Sequence, residues 1–415
     1  MRILFLTPQL PYPPRQGTAM RNWGLLSGIA KQHEVWLLSF DENIGGQAAH
    51  EQRDLAPLYA ACAQIATFAV PRRRSQDRLR TLFASALPDM GWRLWSPAFA
   101  QKLAEWLRHN HFDIVQIEGI EMARYLLPPS KVAAHLPARV VFDDHNCEYV
   151  LQQRNCLADA RKPKRWHVAA YSFLQWQRLR AFERSVATTA HATLCVSAQD
   201  ASALQALEPA LQPHVIPNGI DIAAYQAAKN VQQNKPSGTP QTLVFTGKMD
   251  YRPNIEAVLW FATQVLPLVQ HTFPAVQFQI VGQKPSPRLD ILRSNPNIFI
   301  TGAVDDIRSY IMRADVYVAP LRVGGGTRFK LLEAMALECP IVTTHAGCEG
   351  FDLQHGENAC IADSAAEFAA SVGRLLANAE LGAQLSQQAL KFAWQFDWGQ
   401  IVPKLQSVYQ RITST

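Results

Sequence analysis

Short apolar runs rich in β-branched residues alternate along the chain with longer stretches that have helical spacing. One helix is predicted after Pro253, where apolar residues at 255, 258, 259, 262, 266 and 269 follow the helical period. Continuous apolar strands separated by helices are typical of parallel sheets buried on both faces. The predicted strands cover residues 2–7, 34–40, 64–70, 113–119, 139–145, 192–197, 214–218, 242–247, 278–282, 298–302, 316–320 and 340–344.

A polar stretch at 226–241 separates the two groups of strands. It contains Gly and Pro but almost no large apolar residue, so we expect an exposed connection between two domains. The length of 415 residues fits two or three domains. We therefore predict two doubly wound α/β domains of roughly 200 residues each, with a ligand in the cleft at the carboxyl ends of the strands.

Composition limits the classes of partner. The net charge of +6 is compatible with an anionic substrate or an anionic membrane surface. No recognised nucleic-acid-binding module accompanies this charge, so we expect no nucleic acid partner. Seven cysteines form no CxxC pair, which indicates free thiols in a reducing cytoplasm. No apolar stretch reaches the ~18 residues of a transmembrane helix, so we expect a cytoplasmic protein, either free or peripheral at a membrane.

A glycine run follows the apolar strand at 316–320 and precedes an apolar helix; it consists of Gly324, Gly325 and Gly326. Glycines let the backbone approach a ligand closely, and the N–H groups at a helix start favour an anion. Arg328 and Lys330 add positive charge, and Lys330 and Glu333 share a helical face with Gly326. The pattern indicates a phosphate site, with a carboxylate for a ribose or sugar hydroxyl. The alternative is a glycine loop that only turns a strand into a helix.

Several motifs in a fixed order resemble bacterial glycosyltransferases of family 4, which are retaining enzymes with the GT-B fold. The first is ILFLTPQLPYPPRQG, which looks like the family's first strand and glycine-containing loop. The others are VIPNGID (215–221), VFTGKMDYRPN (244–254), FQIVGQKP, IFITGAVDDI, ADVYVAPLRVGGGTRFKLLEAMALECP and AWQFDWGQIVPKLQSVY (393–409). The similarity covers almost the whole chain.

This resemblance implies a domain organisation and a reaction. The expected fold is GT-B, with two Rossmann-like doubly wound parallel-sheet domains that face a cleft. The acceptor-side domain would cover 1–216, the nucleotide-sugar domain 217–393, and a terminal helix at 394–415 would pack back on the first domain. The expected reaction transfers a sugar from a nucleoside-diphosphate sugar to a glycan or lipid-linked acceptor of the cell surface. No metal or other cofactor is expected.

The resemblance also implies roles for single residues. Lys248, after the glycine of VFTGK, matches a basic ligand of the donor diphosphate, and Arg252 is a second candidate. The alternative is that Lys248 and Arg252 are solvated loop charges with no ligand. Glu333 matches the glutamate that holds the ribose, and Gly17 matches a loop beside the diphosphate, unless it only forms a turn. Donor contacts are further expected from the loop and helix start at Gly324, Gly325, Gly326, Thr327, Arg328 and Lys330.

His145 ends the predicted strand 139–145, at the sheet edge where ligands bind. The family often has a histidine near the donor sugar there, so we expect sugar positioning or charge stabilisation. Together with Lys248 and Lys330, it makes up the expected catalytic set. Alternatively, His145 only forms a structural hydrogen bond with Asp143 or Asp144. These aspartates also suggest a metal, but adjacent strand residues point to opposite faces, so we predict no metal site. The histidines at 109 and 111 are expected in a solvated turn.

One residue departs from the family pattern. The motif usually has two glutamates with seven residues between them, and the first would fall at Gly325. That glutamate normally contacts the donor sugar, so a non-catalytic GT-B protein that binds a nucleotide sugar is the alternative function. An NAD-dependent oxidoreductase is disfavoured because the loop TPQLPYPPRQG lacks the GxGxxG pattern.

Two segments combine basic and aromatic residues, namely 71–80 and 161–184. A helix with aromatic anchors and cationic flanks can lie on an anionic membrane, where lipid-linked acceptors are found. The alternative is a long helix that packs its aromatic side against the domain core.

Overall fold

The computed structural model describes residues 1–14, 17–44, 54–127, 138–161, 166–231, 238–323 and 329–414. Their contacts group into two compact units, one made of Met1–Asn218 with Trp398–Thr415 and one made of Gly219–Asp397. The chain therefore leaves the first unit after Asn218 and re-enters it at Trp398.

The first unit is built on a parallel sheet. Its strands are β1 (Arg2–Thr7), β2 (Glu34–Asp41), β3 (Gln64–Ala69), β4 (Ile114–Glu118), β5 (Arg139–Asp144), β6 (Ala192–Cys195) and β7 (His214–Val215). Their spatial order is β3-β2-β1-β4-β5-β6-β7. The order reverses between β1 and β4, which is the switch point of a Rossmann-like sheet.

Helices cover both faces of this sheet. They are α1 (Gly17–Ala30), α2 (Ala56–Ala61), α3 (Ser75–Ala84), α4 (Asp89–Arg93), α5 (Pro97–His109), α6 (Glu148–Ala160), α7 (Trp166–Thr189), α8 (Ala198–Leu207) and α16 (Trp398–Thr413). Alternate residues of β1 enter different apolar clusters, since Leu4 packs with Phe99 of α5 whereas Phe5 packs with Leu25 of α1 and Leu405 of α16. This double layering explains why the strands read as continuous apolar runs.

The second unit repeats the architecture. Its strands are β8 (Thr242–Thr246), β9 (Gln277–Val281), β10 (Ile298–Gly302), β11 (Val316–Ala319), β12 (Ile341–Thr343) and β13 (Cys360–Ile361). Their order is β10-β9-β8-β11-β12-β13, again parallel, and it reverses between β8 and β11. The helices are α9 (Ile222–Val231), α10 (Arg252–Trp260), α11 (Leu266–Thr272), α12 (Arg308–Arg313), α13 (Phe329–Ala336), α14 (Ala365–Ala377) and α15 (Ala379–Ala393). Ligands of such sheets bind at the carboxyl ends of the strands near the reversal.

The last described helix, α16, packs on α1 of the first unit. Two glycines of α1 allow a close approach, because a Cβ on Gly24 would lie 2.0 Å from the Trp398 ring and one on Gly28 would lie 2.3 Å from Cγ2 of Val402. Behind this contact, α16 buries an apolar face made of Ile401, Val402, Leu405, Val408 and Tyr409. The two glycines thus fix where the helix lies.

Each of the twelve predicted strands is found, and two details differ from the sequence-based expectation. Strand β13 was not predicted, because two residues carry too little pattern. The stretch 226–241 was expected to be an exposed connection, but residues up to Val231 form α9 within the second unit. Helices rich in small residues are easily mistaken for linkers in sequence. Among the described residues, no helix is long and apolar enough to span a bilayer.

Candidate functional site

In the second unit, Lys330 of α13 lies against the end of β8. Its Nζ donates a hydrogen bond to Oδ1 of Asn254 at 2.9 Å, and it lies 4.2 Å from the centre of the Phe245 ring. Nδ2 of Asn254 in turn donates to the carbonyl of Lys248 at 2.9 Å. The half-buried ammonium is therefore held between β8, α10 and α13, at the sheet edge where a ligand is expected.

Two glycines make room for this arrangement. A Cβ on Gly247 would lie 2.8 Å from Nδ2 of Asn254 and 2.9 Å from Nζ of Lys330. A Cβ on Gly282, after β9, would lie 1.7 Å from the carbonyl oxygen of Gly247. Any larger residue would push the ends of β8 and β9 apart. The glycine of the VFTGK motif is therefore required by close packing around Lys330.

Glu333, one turn after Lys330, is 6% exposed and lies among apolar residues. Its Oε1 accepts a hydrogen bond from the hydroxyl of Tyr225 in α9 at 2.9 Å. Burial raises the pKa of Glu333 to about 7, although Tyr225 and the charge of Lys330 act in the opposite direction. Burial and the neighbouring Glu333 also raise the pKa of Tyr225 well above its usual value. The carboxylate is thus poised to change charge near neutral pH.

An ion pair flanks Tyr225. Arg308 of α12 bonds to Asp306 at 2.8 Å and lies 5.8 Å from the centre of the Tyr225 ring. The Arg308 charge favours the ionised form of Glu333, whereas Asp306 opposes it. Sequence analysis singled out Glu333 but not Tyr225 or Asn254, both of which are distant from it in sequence.

The other residues predicted in this unit are more exposed. Nζ of Lys248 lies 3.8 Å from Oδ2 of Asp250, and Nε of Arg252 donates to Oε1 of Glu256 at 3.1 Å. Such partly exposed pairs contribute little to stability, so neither ion pair holds its cation strongly against an approaching anion. The predicted donor contacts Gly324, Gly325, Gly326, Thr327 and Arg328 lie outside the described residues. Helix α13 begins directly after them, at Phe329.

In the first unit, His145 lies directly after β5 and is one member of a buried ionic network. Its Nε2 lies 2.8 Å from Oε2 of Glu118, at the end of β4, and 3.9 Å from Oδ2 of Asp143. Arg21 of α1 binds both oxygens of Asp143, at 2.9 Å and 2.8 Å. Arg21 also donates to the carbonyl of Ile216 at 2.9 Å, so its fork is fully used. The network joins four segments at one edge of the sheet.

The two carboxylates of this network differ in acidity. Burial would raise the pKa of Asp143, but the charges of Arg21 and His145 outweigh it and hold that pKa below its usual value. Burial and the charge of Asp143 raise the pKa of Glu118. Asp143 is therefore the permanent anion, and Glu118 is the acceptor whose charge depends on its hydrogen-bond partners. Sequence analysis did not identify Arg21 or Glu118; the signal was a carboxylate ending the apolar run of β4.

Asp143 and Asp144 point to opposite faces of the sheet, as predicted. Asp143 joins a group with Glu118 and His145, whereas Asp144 joins Cys147 and Glu183; within each group the ligand atoms lie within 4.8 Å of one another. In the first group, the guanidinium of Arg21 is paired with Asp143. Glu183 accepts the N–H groups of Glu148 and Tyr149 at the start of α6, both at 2.9 Å.

Two further predicted positions are peripheral. Gly17 is the first residue of α1, and it is exposed. His109 ends α5, and His111 lies 3.6 Å from Oδ1 of Asp113 with an exposed side chain. These histidines lie at the end of α5 and before β4, apart from the network around His145.

Two parallel α/β units with these strand orders define a protein of the GT-B fold class. The family model described as Glycosyltransferase Family 4 matches residues 17–224, and the one described as Glycosyl transferases group 1 matches residues 240–378. The chain therefore belongs to glycosyltransferase family 4, which confirms the resemblance stated above.

Similar proteins agree with this family and fold. The phosphatidyl-myo-inositol mannosyltransferase of Mycobacterium tuberculosis is 28% identical over 210 residues, which are 48% of this chain and 54% of that protein. The chain thus spans about half the length of the curated relatives it matches. Sucrose-phosphate synthase of Thermosynechococcus elongatus has a TM-score of 0.70 at 14% identity, with 100% of both chains covered. HepE of Anabaena, solved with UDP-glucose, has a TM-score of 0.64 at 14% identity, with 99% of this chain and 100% of that chain covered. The predicted GT-B fold is confirmed.

Proposed function

We propose that the chain is a retaining glycosyltransferase that moves a sugar from a nucleoside-diphosphate sugar to a glycan or lipid-linked acceptor in cell-surface polysaccharide synthesis. The observation that carries this proposal is the pair of Lys330 and Glu333 on one face of α13. One is a fixed cation beside the glycine-lined end of β8, and the other is a buried carboxylate held by a tyrosine. A cation binds a diphosphate, and a carboxylate accepts hydrogen bonds from ribose hydroxyls. The two side chains lie one helical turn apart on α13, as neighbouring parts of one nucleotide require.

In this proposal the second unit binds the nucleotide. Departure of a nucleoside diphosphate develops negative charge on phosphate oxygens, so the main task is to stabilise that charge. Lys330 and Lys248 supply cations, and Arg252 reaches the phosphates after it leaves Glu256. Glu333 accepts from ribose hydroxyls. The family resemblance implies further donor contacts from the residues that precede α13, namely Gly324, Gly325, Gly326, Thr327 and Arg328. It also implies a contact from Gly17.

In this proposal His145 positions the donor sugar or stabilises charge that develops there. Its Nε2 is committed to Glu118, and the buried Arg21–Asp143 pair fixes the neighbouring charge. A retaining enzyme of this family is thought to use same-face attack assisted by the leaving phosphate. No metal enters this scheme, since the cationic side chains named above face the diphosphate.

The absence of a glutamate at Gly325 favours one alternative, a GT-B protein that binds a nucleotide sugar without catalysis. Binding and turnover separate the two functions. We expect one of UDP-glucose, GDP-mannose or ADP-glucose to raise the melting temperature of the chain and to be hydrolysed slowly without an acceptor. Glu333→Gln should weaken both effects, whereas Arg313→Gln, on the exposed side of α12, should change neither. Binding without hydrolysis or transfer would establish the non-catalytic alternative, and no stabilisation by any of the three would contradict the proposal.

We further propose that an anionic membrane presents the acceptor and that α3 and the first half of α7 lie on it. No residue of α3 is buried, and Leu79 and Phe83 are 58% and 81% exposed on one side of it. The aromatic residues of α7 divide, because Phe182 enters the core whereas Trp166 and Phe173 are 64% and 52% exposed. An amphipathic helix with exposed apolar residues binds at the headgroup boundary.

Charge on the same surface supports an anionic lipid as the partner. The guanidinium of Arg178 in α7 donates to the carbonyl of Leu82 at 2.8 Å, which holds the end of α3 beside α7. Exposed arginines lie just before α3, within α3 and within α7; they are Arg72, Arg74, Arg78, Arg80 and Arg180. Each basic residue near an anionic leaflet contributes about 1 kcal/mol. In this proposal the membrane interpretation of 161–184 applies to the first half of α7 and the core-packing interpretation to its second half; residues 162–165 lie outside the described residues.

Vesicle binding tests this surface. The chain should bind vesicles that contain phosphatidylglycerol but not vesicles of phosphatidylcholine alone. Leu79→Ser with Phe83→Ser should abolish binding while the melting temperature and nucleotide-sugar binding stay unchanged. The matched control is Ile291→Ser, an equally exposed apolar residue of the second unit. Equal vesicle binding by the double variant and the wild-type chain would contradict the proposed surface.

A further inference from the structure

A chain of buried hydrogen bonds connects the C-terminal helix to His145. The hydroxyl of Tyr409 in α16 donates to Oε1 of Gln116 in β4. Nε2 of Gln116 donates to Oε1 of Glu118 at 2.6 Å, and Oε2 of Glu118 lies 2.8 Å from Nε2 of His145. Tyr409, Gln116 and Glu118 are all fully buried. The two polar side chains of β4 are buried, which is costly unless each polar atom has a partner.

The direction of each hydrogen bond follows from the chemistry of the groups. An ionised carboxylate only accepts, so the amide of Gln116 must turn its NH₂ to Glu118 and its oxygen to Tyr409. The phenol must then donate. By the same reasoning, Nε2 of His145 carries a proton whenever Glu118 is ionised. Its Nδ1 lies on the side of Gly119, where an added Cβ would be 3.5 Å from Nδ1 and 3.2 Å from Oε2 of Glu121.

We infer that Tyr409 is a positioning residue for His145, which acts through Gln116 and Glu118 to keep the Nε2–H tautomer and present Nδ1. The donated amide proton stabilises the charge of Glu118, which burial and Asp143 oppose. Without the phenol, the amide oxygen of Gln116 has no partner and the amide is free to turn. Glu118 then takes up one proton, which lies either on Oε1, facing the turned amide oxygen, or on Oε2, where it donates to Nε2 of His145 and the ring proton is carried by Nδ1 instead. The effect on the His145 tautomer does not depend on the proposed function. The effect on turnover rests on the proposed function, because it requires His145 to act on the donor sugar.

Nitrogen spectra of the histidine rings test the relay in the full chain without any ligand. The wild-type ring of His145, assigned by comparison with His145→Gln, should show a protonated Nε2 and an unprotonated Nδ1 in its neutral form. Tyr409→Phe should give a mixture of both tautomers, and Gln116→Leu should give the same change. The matched control is Tyr125→Phe, which removes a buried hydroxyl of the same unit that donates to the carbonyl of Leu94. It should leave the His145 signals unchanged.

Unchanged His145 signals in both Tyr409→Phe and Gln116→Leu would overturn the relay, and so would an equal change in Tyr125→Phe. Turnover gives a separate result. With UDP-glucose or GDP-mannose as probe, Tyr409→Phe should lower kcat about threefold to tenfold, the value of one buried hydrogen bond, and leave KM within about twofold. A changed tautomer with no hydrolysis by any variant, the wild type included, would support the relay and contradict the proposed enzyme.

Discussion

Replacement of Lys330 by methionine tests the phosphate assignment most directly. Methionine keeps much of the length and apolar character of the lysine stem, so it still covers the Phe245 ring, but it removes the ammonium that contacts Asn254 at 2.9 Å. Hydrogen bonds to charged groups contribute about 1.5–3 kcal/mol. The affinity for the nucleotide sugar, or kcat if the contact forms only in the transition state, should therefore fall roughly tenfold to a hundredfold.

The unliganded chain must be measured as well, because Lys330 also contributes to stability. The lost bond to Asn254 involves a charged group and costs about 1.5–3 kcal/mol, and the lost cation–π contact costs about 0.5–1 kcal/mol more. The informative quantity is thus the shift in stability that the donor causes in each variant. At a donor concentration of 100 times the wild-type Kd the wild type gains about 2.7 kcal/mol, whereas a variant with hundredfold weaker binding gains only about 0.4 kcal/mol.

Arg313→Met is the matched control, since it removes an exposed cation from α12 of the same unit. Its donor-induced shift should equal that of the wild type. If Lys330→Met also shows the wild-type shift and the wild-type kcat, Lys330 is a solvated helix charge with no role in donor binding. The phosphate contacts would then come from the backbone N–H groups before α13 and from Lys248.

Three further predictions concern the pH dependence of donor affinity, the pH dependence of stability and the packing of α16 on α1. Because burial raises the pKa of Glu333 to about 7, its carboxylate forms only as the pH rises through that value, so donor affinity should increase between about pH 6 and pH 8 and Glu333→Gln should remove the increase. Asp144 and Glu183 have raised pKa values through burial, so the folded chain retains protons that the unfolded chain releases. The free energy of unfolding should fall as the pH rises from about 5 to 8, with a smaller slope in Asp144→Asn; an identical slope would contradict this reasoning. Gly28→Ala should lower the free energy of unfolding by about 1–3 kcal/mol through overpacking against α16, whereas Gly373→Ala, with 3.6 Å to its nearest neighbour, should raise it by up to about 1 kcal/mol; equal effects in urea titrations would refute the packing argument.

The sheets could be predicted from sequence because they are buried on both faces. A strand with helices on both sides must be apolar at every position, so runs such as 2–7 and 242–247 stand out without any alternation. Helix α9 was missed for the opposite reason: its alanines and Gln226 carry little apolar contrast. Strand β13 has two residues and pairs only with β12, so no local pattern could identify it.

The site was predictable only where its residues are close in sequence. Lys330 and Glu333 share a helix, so their common face follows from the helical period alone. The need for a partner of Glu333 was also predictable, since an unpartnered buried acid is costly. That partner, Tyr225, lies 108 residues earlier, and no local pattern connects the two. The ionic pair of Arg21 and Asp143 spans 122 residues and was missed for the same reason.

The path of the chain through its two units has a consequence for biosynthesis. Gly219–Asp397 is inserted between two parts of the first unit, and its two ends are bridged at Ile220 and Asp397. A nascent chain can therefore complete the inserted unit while the first unit still lacks α16. Until the ribosome has added Tyr409, Gln116 has no phenol to bond and α1 exposes its glycine face. A chain shortened before α16 should accordingly retain the inserted unit but depend on chaperones for the first, and the histidine network would mature last.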